Sequence, residues 1–369
     1  MDAELRDLTV YIGRFSPFHQ GHAETLSKAL ACSRRVLVII GSDKQPRTVK
    51  NPWTAIERAT MIYNWHRYES GDDRQDALII KTQRDHPYNN DRWLSEVQQL
   101  INDVNPQGDV WLTGCDRDES TFYLKQFPTF KLDIVHEDLK VSRFLSGTSI
   151  RDLYFGRSLN GRTLTDHEVE ILNSSFIPKT TATVLEEFRL KPAYKNLVEE
   201  YQFLLKHERD WSVAPFPPTF QTVDAVVIQT GYVLLVNRRN TPGRGLWALP
   251  GGYIKQNEWM LDAAVRELIE ETKIDVPTAV IYSSLKDDYV FEDPGRSLRG
   301  RIITRAFLFK LPDFLQNGRI KLPKVKGADD AAKARWFALS EIDQLSDRLF
   351  EDHSAIIETM VARLKRERR

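Results

Sequence analysis

The sequence predicts a doubly wound parallel α/β sheet followed by a smaller α+β domain. Strands alternate with helical patterns over roughly residues 8–155, which is the order that builds a parallel sheet with helices on both faces. The stretch Pro215-Phe216-Pro217-Pro218 is stiff and poor in donors, a linker signal. From Thr219 the order changes to two adjacent strands, a glycine-rich loop, one strong helix and further strands. A length of 369 residues also exceeds what one ordinary domain needs.

The elements follow in order. Leu8-Thr9-Val10-Tyr11-Ile12 is β-prone and stops at Gly13, and a polar loop containing proline leads into a helix over Gly21–Leu30. Arg35–Ile40 is mostly aliphatic, as a parallel strand buried on both faces should be. Thr54–Tyr68 reads as a helix, Ala77–Thr82 as a strand and Trp93–Val104 as a helix, with Asp109–Thr113 and Leu132–Val135 completing the strand set. A ligand of such a sheet sits at the carboxyl ends of its strands, where Gly13, Gly41 and Gly114 fall. Thr165–Asn173 reads as helix, and Thr183–His207 as one or two amphipathic helices. In the second part, Thr222–Ile228 and Tyr232–Val236 are strands around Thr230-Gly231, with later strands near Val280–Ser283 and Ile302–Phe309 and a closing helix over Ser354–Arg369. The expected division is residues 1–182, a helical connector and linker over 183–218, and residues 219–369.

Composition narrows the partners. Lysine plus arginine and aspartate plus glutamate are equal at 52, so no bulk charge favours nucleic acid or an anionic membrane. The apolar share of 41% and charged share of 28% are those of a globular chain, not a disordered one. The longest tight aliphatic run, Val36–Ile40, is too short to span a bilayer, and MDAELRDL carries charge where a secretion signal needs apolar residues. With only Cys32 and Cys115 there is no disulfide framework, and a reducing, cytoplasmic location is expected.

Directly after the first strand stands Gly13-Arg14-Phe15-Ser16-Pro17-Phe18-His19-Gln20-Gly21-His22. Two imidazoles around a glycine at a helix start suit phosphate, because a helix N-terminus presents unpaired N–H groups and partial positive charge. The competing reading is that His19 and His22 only cap the helix. A second string, Leu145-Ser146-Gly147-Thr148-Ser149-Ile150-Arg151-Asp152, sets hydroxyls and a guanidinium around another glycine, with a helix beginning at Ser149. Alone it is an ordinary capped helix, but the two strings in this order on a β/α chain reinforce one another. Together they resemble the HxGH and SxTxxR pair of the nucleotidyltransferase superfamily. Residues 8–155 resemble its nicotinamide mononucleotide adenylyltransferases of the archaeal type, with Gly41-Ser42 and Asn51-Pro52-Trp53-Thr54-Ala55-Ile56-Glu57-Arg58 as added matches.

That resemblance implies a Rossmann-like fold and adenylyl transfer from ATP to the mononucleotide, giving NAD and pyrophosphate. It implies that His19 and His22 hold the ATP phosphates and stabilise the transferred phosphoryl group. Ser146, Thr148 and Arg151 would bind the departing β- and γ-phosphates, and Gly13, Arg14 and Phe15 would form the first phosphate loop. Trp93 falls where the family stacks a ring on the nicotinamide, and Asn89 and Asn90 would read the carboxamide. In-line attack of the acceptor phosphate needs no protein nucleophile, only positioning and charge neutralisation with Mg²⁺.

The other constellation runs from Gly251-Gly252 through Glu258 to Arg266-Glu267-Leu268-Ile269-Glu270-Glu271. On a helix, Glu267, Glu270 and Glu271 lie at i, i+3 and i+4 on one face. Such crowding of like charge calls for a hard divalent cation, Mg²⁺ or Mn²⁺, unless the face is simply solvated. The spacing resembles the Nudix box, Gly-x5-Glu-x7-Arg-Glu-U-x-Glu-Glu-x-Gly-U (U aliphatic), with Lys273 where the family has its last glycine. Residues 219–350 resemble Nudix proteins acting on ADP-ribose, and the whole resembles bifunctional adenylyltransferase–Nudix proteins. The resemblance implies a C-terminal Nudix fold, metal held by Glu267, Glu270 and Glu271, and cleavage of ADP-ribose to AMP and ribose 5-phosphate. Arg238, Arg239, Arg299 and Arg301 are the candidate diphosphate contacts. No general base stands out beyond the box, with Glu292 only a nearby carboxylate.

Two other readings are carried. The adenylyl acceptor could be phosphopantetheine or a cytidylyl acceptor instead, against which Trp93 and Asn51-Pro52-Trp53 speak. The Nudix half could be a nucleotide-binding regulatory module, which Lys273 favours and the intact carboxylates oppose. The expected partners are the small molecules ATP, nicotinamide mononucleotide and ADP-ribose, with no nucleic acid and no membrane. The Thr183–His207 helices are the candidate surface for a homo-oligomer.

Overall fold

The aliphatic run Val36–Ile40 lies fully buried within β2 (Ser33–Asp43), beside the equally buried Leu8, Val10 and Ile12 of β1 (Arg6–Gly13). In this computed structural model the described residues are 5–105, 108–114, 126–127, 129–134, 146–156, 176–316 and 319–366. They divide into two compact units, Met1–Glu199 and Glu200–Arg369.

In the first unit β1 pairs in parallel with β2 on one side and with β4 (Val110–Gly114) on the other. Adding β3 (Leu78–Arg84) and β5 (Lys131–Ile134) gives the all-parallel order β3-β2-β1-β4-β5. The strand order reverses between β1 and β4, which opens a crevice at their carboxyl ends. Three helices follow strands in sequence: α1 (Gln20–Cys32), α2 (Ala55–Tyr68) and α3 (Asn90–Val104). Thr54 ends up as the N-cap of α2, where its side chain accepts from the Glu57 N–H and the Glu57 carboxylate accepts from the Thr54 N–H. The second motif forms α4 (Gly147–Tyr154), which starts at Gly147 rather than at the expected Ser149 because Ser146 caps it.

The connector expected over residues 183–218 is divided between the units. It forms two helices, α5 (Lys179–Arg189) and α6 (Pro192–Trp211), with Pro192 at the first position of the second. The Glu69 carboxylate at the end of α2 accepts from the N–H groups of Lys179 and Thr180, and Leu185 and Phe188 are buried, so α5 belongs to the first unit. The boundary between the units falls within α6.

The second unit begins with β6 (Thr219–Gln229) and β7 (Tyr232–Arg238), joined by Thr230 (φ 48°) and Gly231 (φ 80°), both left-handed as a tight hairpin requires. The hairpin is zipped only at Ile228–Val233 and Gln229–Tyr232, and then its strands part. β8 (Trp247–Ala248) pairs with β7 and β9 (Gly251–Tyr253) with β6 in the opening. α7 (Met260–Thr272) buries Ala263, Ala264, Val265 and Leu268 among Val223, Ala225, Phe307 and Phe309. One expected strand is corrected here, since Val280–Ser283 lies in a short helix, α8 (Thr278–Ser283), and the strand β10 (Leu285–Phe291) starts later. Pro277 has φ −58° and its carbonyl accepts from the N–H groups of Val280 and Ile281, which starts a helical turn that a short apolar run does not reveal. β10 pairs antiparallel with β11 (Arg301–Lys310), which runs parallel to β6. A short ribbon of β12 (Leu315–Gln316) and β13 (Arg319–Ile320) precedes β14 (Ala331–Ala338), which pairs with β7, and α9 (His353–Arg366) ends the described chain.

The helix expected over Thr165–Asn173, Val135, Cys115 and residues 367–369 lie outside the described residues. Among the described residues, no helix is long and apolar enough to cross a membrane.

Candidate active sites

In the first unit His19 is the N-cap residue of α1 and His22 stands three residues on. The His22 N–H donates to the Nδ1 of His19 (3.4 Å) and the His19 N–H donates to the Nδ1 of His22 (3.3 Å). Their rings stack with centroids 3.6 Å apart, and Phe18 stacks on His22 from 5.9 Å. Capping and phosphate binding are therefore compatible. An Nδ1 that accepts a backbone proton places the neutral ring's own proton on Nε2, a donor suited to phosphate oxygen.

The glycines around this pair lie against the protein's own rings. A Cβ on Gly13 would meet the Cζ of Phe15 at 2.9 Å, and one on Gly21 would meet the His19 ring at 3.4 Å. Phe15 is buried and holds φ 51°, so the loop folds its own ring over Gly13. Arg14, next to it, is exposed.

Arg151 clasps the two motifs together. Its Nη1 donates to the Ser16 carbonyl (2.5 Å) and its Nη2 to the Thr148 hydroxyl (3.0 Å). Burial, and then the neighbouring Arg14 guanidinium, lower its pKa to about 10 against the opposing pull of Asp152, so it stays cationic at neutral pH. Ser146 accepts from the Ser149 N–H (3.2 Å) and so serves the start of α4. Trp93 is half-buried on α3 and packs against the sheet core, its ring 6.4 Å from Phe127. Asn89 caps α3, its side chain accepting from the Arg92 N–H (3.1 Å).

Sequence reasoning missed Arg58. It is only 1% exposed, and its guanidinium donates to the carbonyls of Arg14 (2.5 Å), Gly41 (2.7 Å), Ser42 (3.0 Å) and Trp53 (3.2 Å). The available signal was its position at helical spacing among Ala55, Met61 and Ile62, the buried face of α2. Asp85 was missed too, where it accepts from both the N–H (3.1 Å) and the hydroxyl (2.6 Å) of Ser42.

In the second unit Arg266 is a hub for carboxylates. It holds Glu258 through two bonds (2.6 and 2.9 Å) and reaches Glu267 (2.7 Å) and Glu270 (3.0 Å) through Nη1. Those bonds hold Glu258 down to about 2. Glu271 is buried and accepts from the Gly251 N–H (3.0 Å). Burial pushes its pKa up to about 8, with the charge of Glu267 adding to the rise, and Glu267 is itself raised by burial. Gly251 packs against backbone and is required, while Gly252 faces the end of the Glu267 side chain. A Cβ on Gly252 would meet the Glu267 Oε1 at 2.6 Å, and one on Gly251 would meet the Val223 carbonyl at 2.2 Å.

This donor set fits a divalent cation: three carboxylates on one turn of helix, oxygen only, two of them strained by burial that a cation would relieve. Among the described residues no three acidic or histidine side chains already form a closed cage, since Glu267 and Glu270 turn to Arg266. Lys273, the departure from the box, has φ 44° and ψ 40° and donates its N–H to the Ile269 carbonyl. It takes the left-handed turn for which glycine is usual.

Of the candidate arginines, Arg238 and Arg299 come together, with guanidinium carbons 3.9 and 5.6 Å from the centre of the Phe350 ring. Arg301 instead donates to the Glu292 carbonyl (2.6 Å), and the Glu292 side chain is 67% exposed. Arg239 donates to the Ala331 carbonyl (3.3 Å). Also missed were buried Asp224, which accepts from the Thr304 hydroxyl (2.6 Å), and His353, whose Nδ1 accepts from the Leu249 N–H (2.8 Å). An aspartate interrupting the apolar run Val223–Ile228 was the signal.

Comparison with known proteins follows the same division. The family model described as Cytidylyltransferase-like matches residues 10–153, and that described as NUDIX domain matches residues 218–360. A nicotinamide/nicotinic acid mononucleotide adenylyltransferase of Acinetobacter baylyi is 34% identical over 197 residues, 53% of this chain and 94% of that protein. An ADP-ribose pyrophosphatase of Methanocaldococcus jannaschii is 33% identical over 135 residues, 37% of this chain and 69% of that protein. A crystal structure from Francisella tularensis, of a bifunctional NMN adenylyltransferase/ADP ribose pyrophosphatase complexed with AMP and a manganese ion, is 31% identical and superposes with a TM-score of 0.84. The match covers 97% of this chain and 99% of that one.

Proposed function

The chain belongs to the family of bifunctional NMN adenylyltransferase/ADP-ribose pyrophosphatases, and on that premise we propose the division of labour among its residues. The first unit transfers adenylyl from ATP to nicotinamide mononucleotide, releasing pyrophosphate. The second hydrolyses ADP-ribose to AMP and ribose 5-phosphate.

For transfer, the observation that carries the assignment is the Arg151 clasp on Ser16, which brings two helix starts into one unit's crevice. The Nε2–H groups of His19 and His22 stabilise charge developing on the α-phosphoryl oxygens. Arg14, Arg151, Ser146 and Thr148 hold the phosphates that leave. Phe15 seals the loop, and Trp93 is the acceptor-side ring. Catalysis here is alignment of the acceptor phosphate with the α-phosphorus inside a fixed positive field.

For hydrolysis, the carrying observation is the carboxylate face of α7 set against Gly251 and Gly252. Glu267, Glu270 and Glu271 hold Mg²⁺ or Mn²⁺, and Arg266 fixes Glu258 behind them. Such a cation, when bound, supplies an acidified water and neutralises the diphosphate. Arg238 and Arg299 orient the diphosphate from the Phe350 side. The regulatory-module alternative leaned on Lys273, whose left-handed backbone withdraws that support.

The test uses purified full-length protein with Mg²⁺. ADP-ribose should yield AMP and ribose 5-phosphate, and ATP with nicotinamide mononucleotide should yield NAD. His22→Ala should abolish only the transfer and Glu271→Gln only the hydrolysis. Loss of both activities in either variant would refute two independent sites.

A further inference from the structure

Two buried guanidiniums hold one loop. Arg151 donates to the carbonyl of Ser16, and Arg58, from a different helix, donates to the carbonyl of Arg14 two residues earlier. Between them sits Phe15 with its left-handed backbone. Arg58 also fastens the end of β2 through Gly41 and Ser42 and the entry to α2 through Trp53 and Thr54. It is therefore the side chain common to three segments, among them the loop that leads into His19.

Among the described residues all of its hydrogen-bond partners are carbonyl oxygens, none a carboxylate, although Asp85 and Asp43 lie near enough to favour its charge. The two carboxylates act on it through space, so its position is fixed by the loop carbonyls alone. A guanidinium is planar and presents five fixed donors, so it sets the spacing between loops in a way a lysine ammonium does not.

We propose that Arg58 is a positioning residue for adenylyl transfer, fixing the distance between the first phosphate loop and the end of β2 so that His19 and His22 meet the α-phosphoryl group in register. This rests on the assignment of transfer to the first unit. The fork geometry carries the effect, so Arg58→Lys and Arg58→Met behave alike.

The experiment follows NAD formation through the first turnover with full-length protein and ATP, nicotinamide mononucleotide and Mg²⁺ in excess. Parent, Arg58→Lys and Arg58→Met are compared, and ADP-ribose hydrolysis of the same preparations reports the integrity of the second unit. A misplacement of about 1 Å at such a site costs up to about a hundred-fold. The expected result is a rate constant lower by at least about ten-fold in both variants, with the amplitude retained. A merely structural role would lower the amplitude, the number of working molecules, and leave the rate constant alone. That result overturns the proposal, as does a rate constant within about two-fold of the parent or rescue by lysine. If Arg58→Met does not fold, Arg58→Lys carries the test. Absence of NAD formation by the parent would instead refute the assignment of transfer itself.

Discussion

Replacing Glu271 by glutamine should make α7 more stable and the second site inactive. The carboxyl is buried against Gly251, and its pKa is raised from an ordinary 4.5 to about 8. Between those two values the folded chain keeps a proton that the unfolded chain has released. Stability therefore falls as pH rises through that window, by ~1.4 kcal/mol per unit, and is flat above it. At pH 7 the accumulated cost is ~3 kcal/mol in metal-free protein, whereas at pH 5 it is under ~1 kcal/mol. Glutamine keeps an oxygen to accept from the Gly251 N–H and carries none of this cost. The assay is amide hydrogen exchange, corrected for intrinsic rates, of peptides covering residues 251–272 in chelator-treated protein at both pH values. Protection in Glu271→Gln should exceed the parent's by one to two decades at pH 7 and by little at pH 5, ~3 kcal/mol being about a hundred-fold. ADP-ribose hydrolysis should fall by about a hundred-fold or more, the familiar exchange of activity for stability. Equal or lower protection in the variant at pH 7, or a gain independent of pH, would refute the reasoning.

Two further substitutions test local geometry. Lys273→Gly relieves a left-handed lysine, worth ~1–2 kcal/mol, against ~0.5–1 kcal/mol for the extra freedom of unfolded glycine. The second unit should therefore gain up to ~1 kcal/mol, seen as a rise in its thermal midpoint with ADP-ribose turnover within about two-fold; a marked destabilisation would contradict it. Gly13→Ala places a methyl 2.9 Å from the Phe15 ring, which must move. NAD formation should drop by about ten-fold or more while hydrolysis persists, and unchanged NAD formation would show that the ring's position does not matter.

The strands of the first unit were legible because buried parallel strands are written as aliphatic runs, as in Val36–Ile40. The two chemical strings were legible because their spacing is rare. Less legible was anything decided by tertiary contact. Nothing local in Val280–Ser283 distinguishes a helical turn from a strand, and only Pro277 hinted at it. Gly13 was legible as the end of the first strand, but not that its missing Cβ makes room for Phe15, a ring two residues away whose backbone torsion no pattern states. Arg58 was quoted as part of a motif yet given no task, since its partners are carbonyls from segments 44, 17 and 16 residues away in sequence. Arg301 looked equivalent to Arg299 until the register of β11 turned it toward Glu292. The connector looked separate because helices without a sheet partner carry no label of ownership, and burial of Leu185 and Phe188 gave half of it to the first unit.

Lys273 bears on how such boxes ought to be written. A pattern spelled in letters demands glycine at that position and would score this chain as defective. What the turn requires is a pair of backbone angles, and here a lysine supplies them at φ 44° and ψ 40°. Substitutions at the end of the carboxylate helix should then be sorted by whether the newcomer tolerates that torsion. By that measure asparagine and aspartate are near-synonyms of glycine, while valine, isoleucine and threonine are the true misspellings.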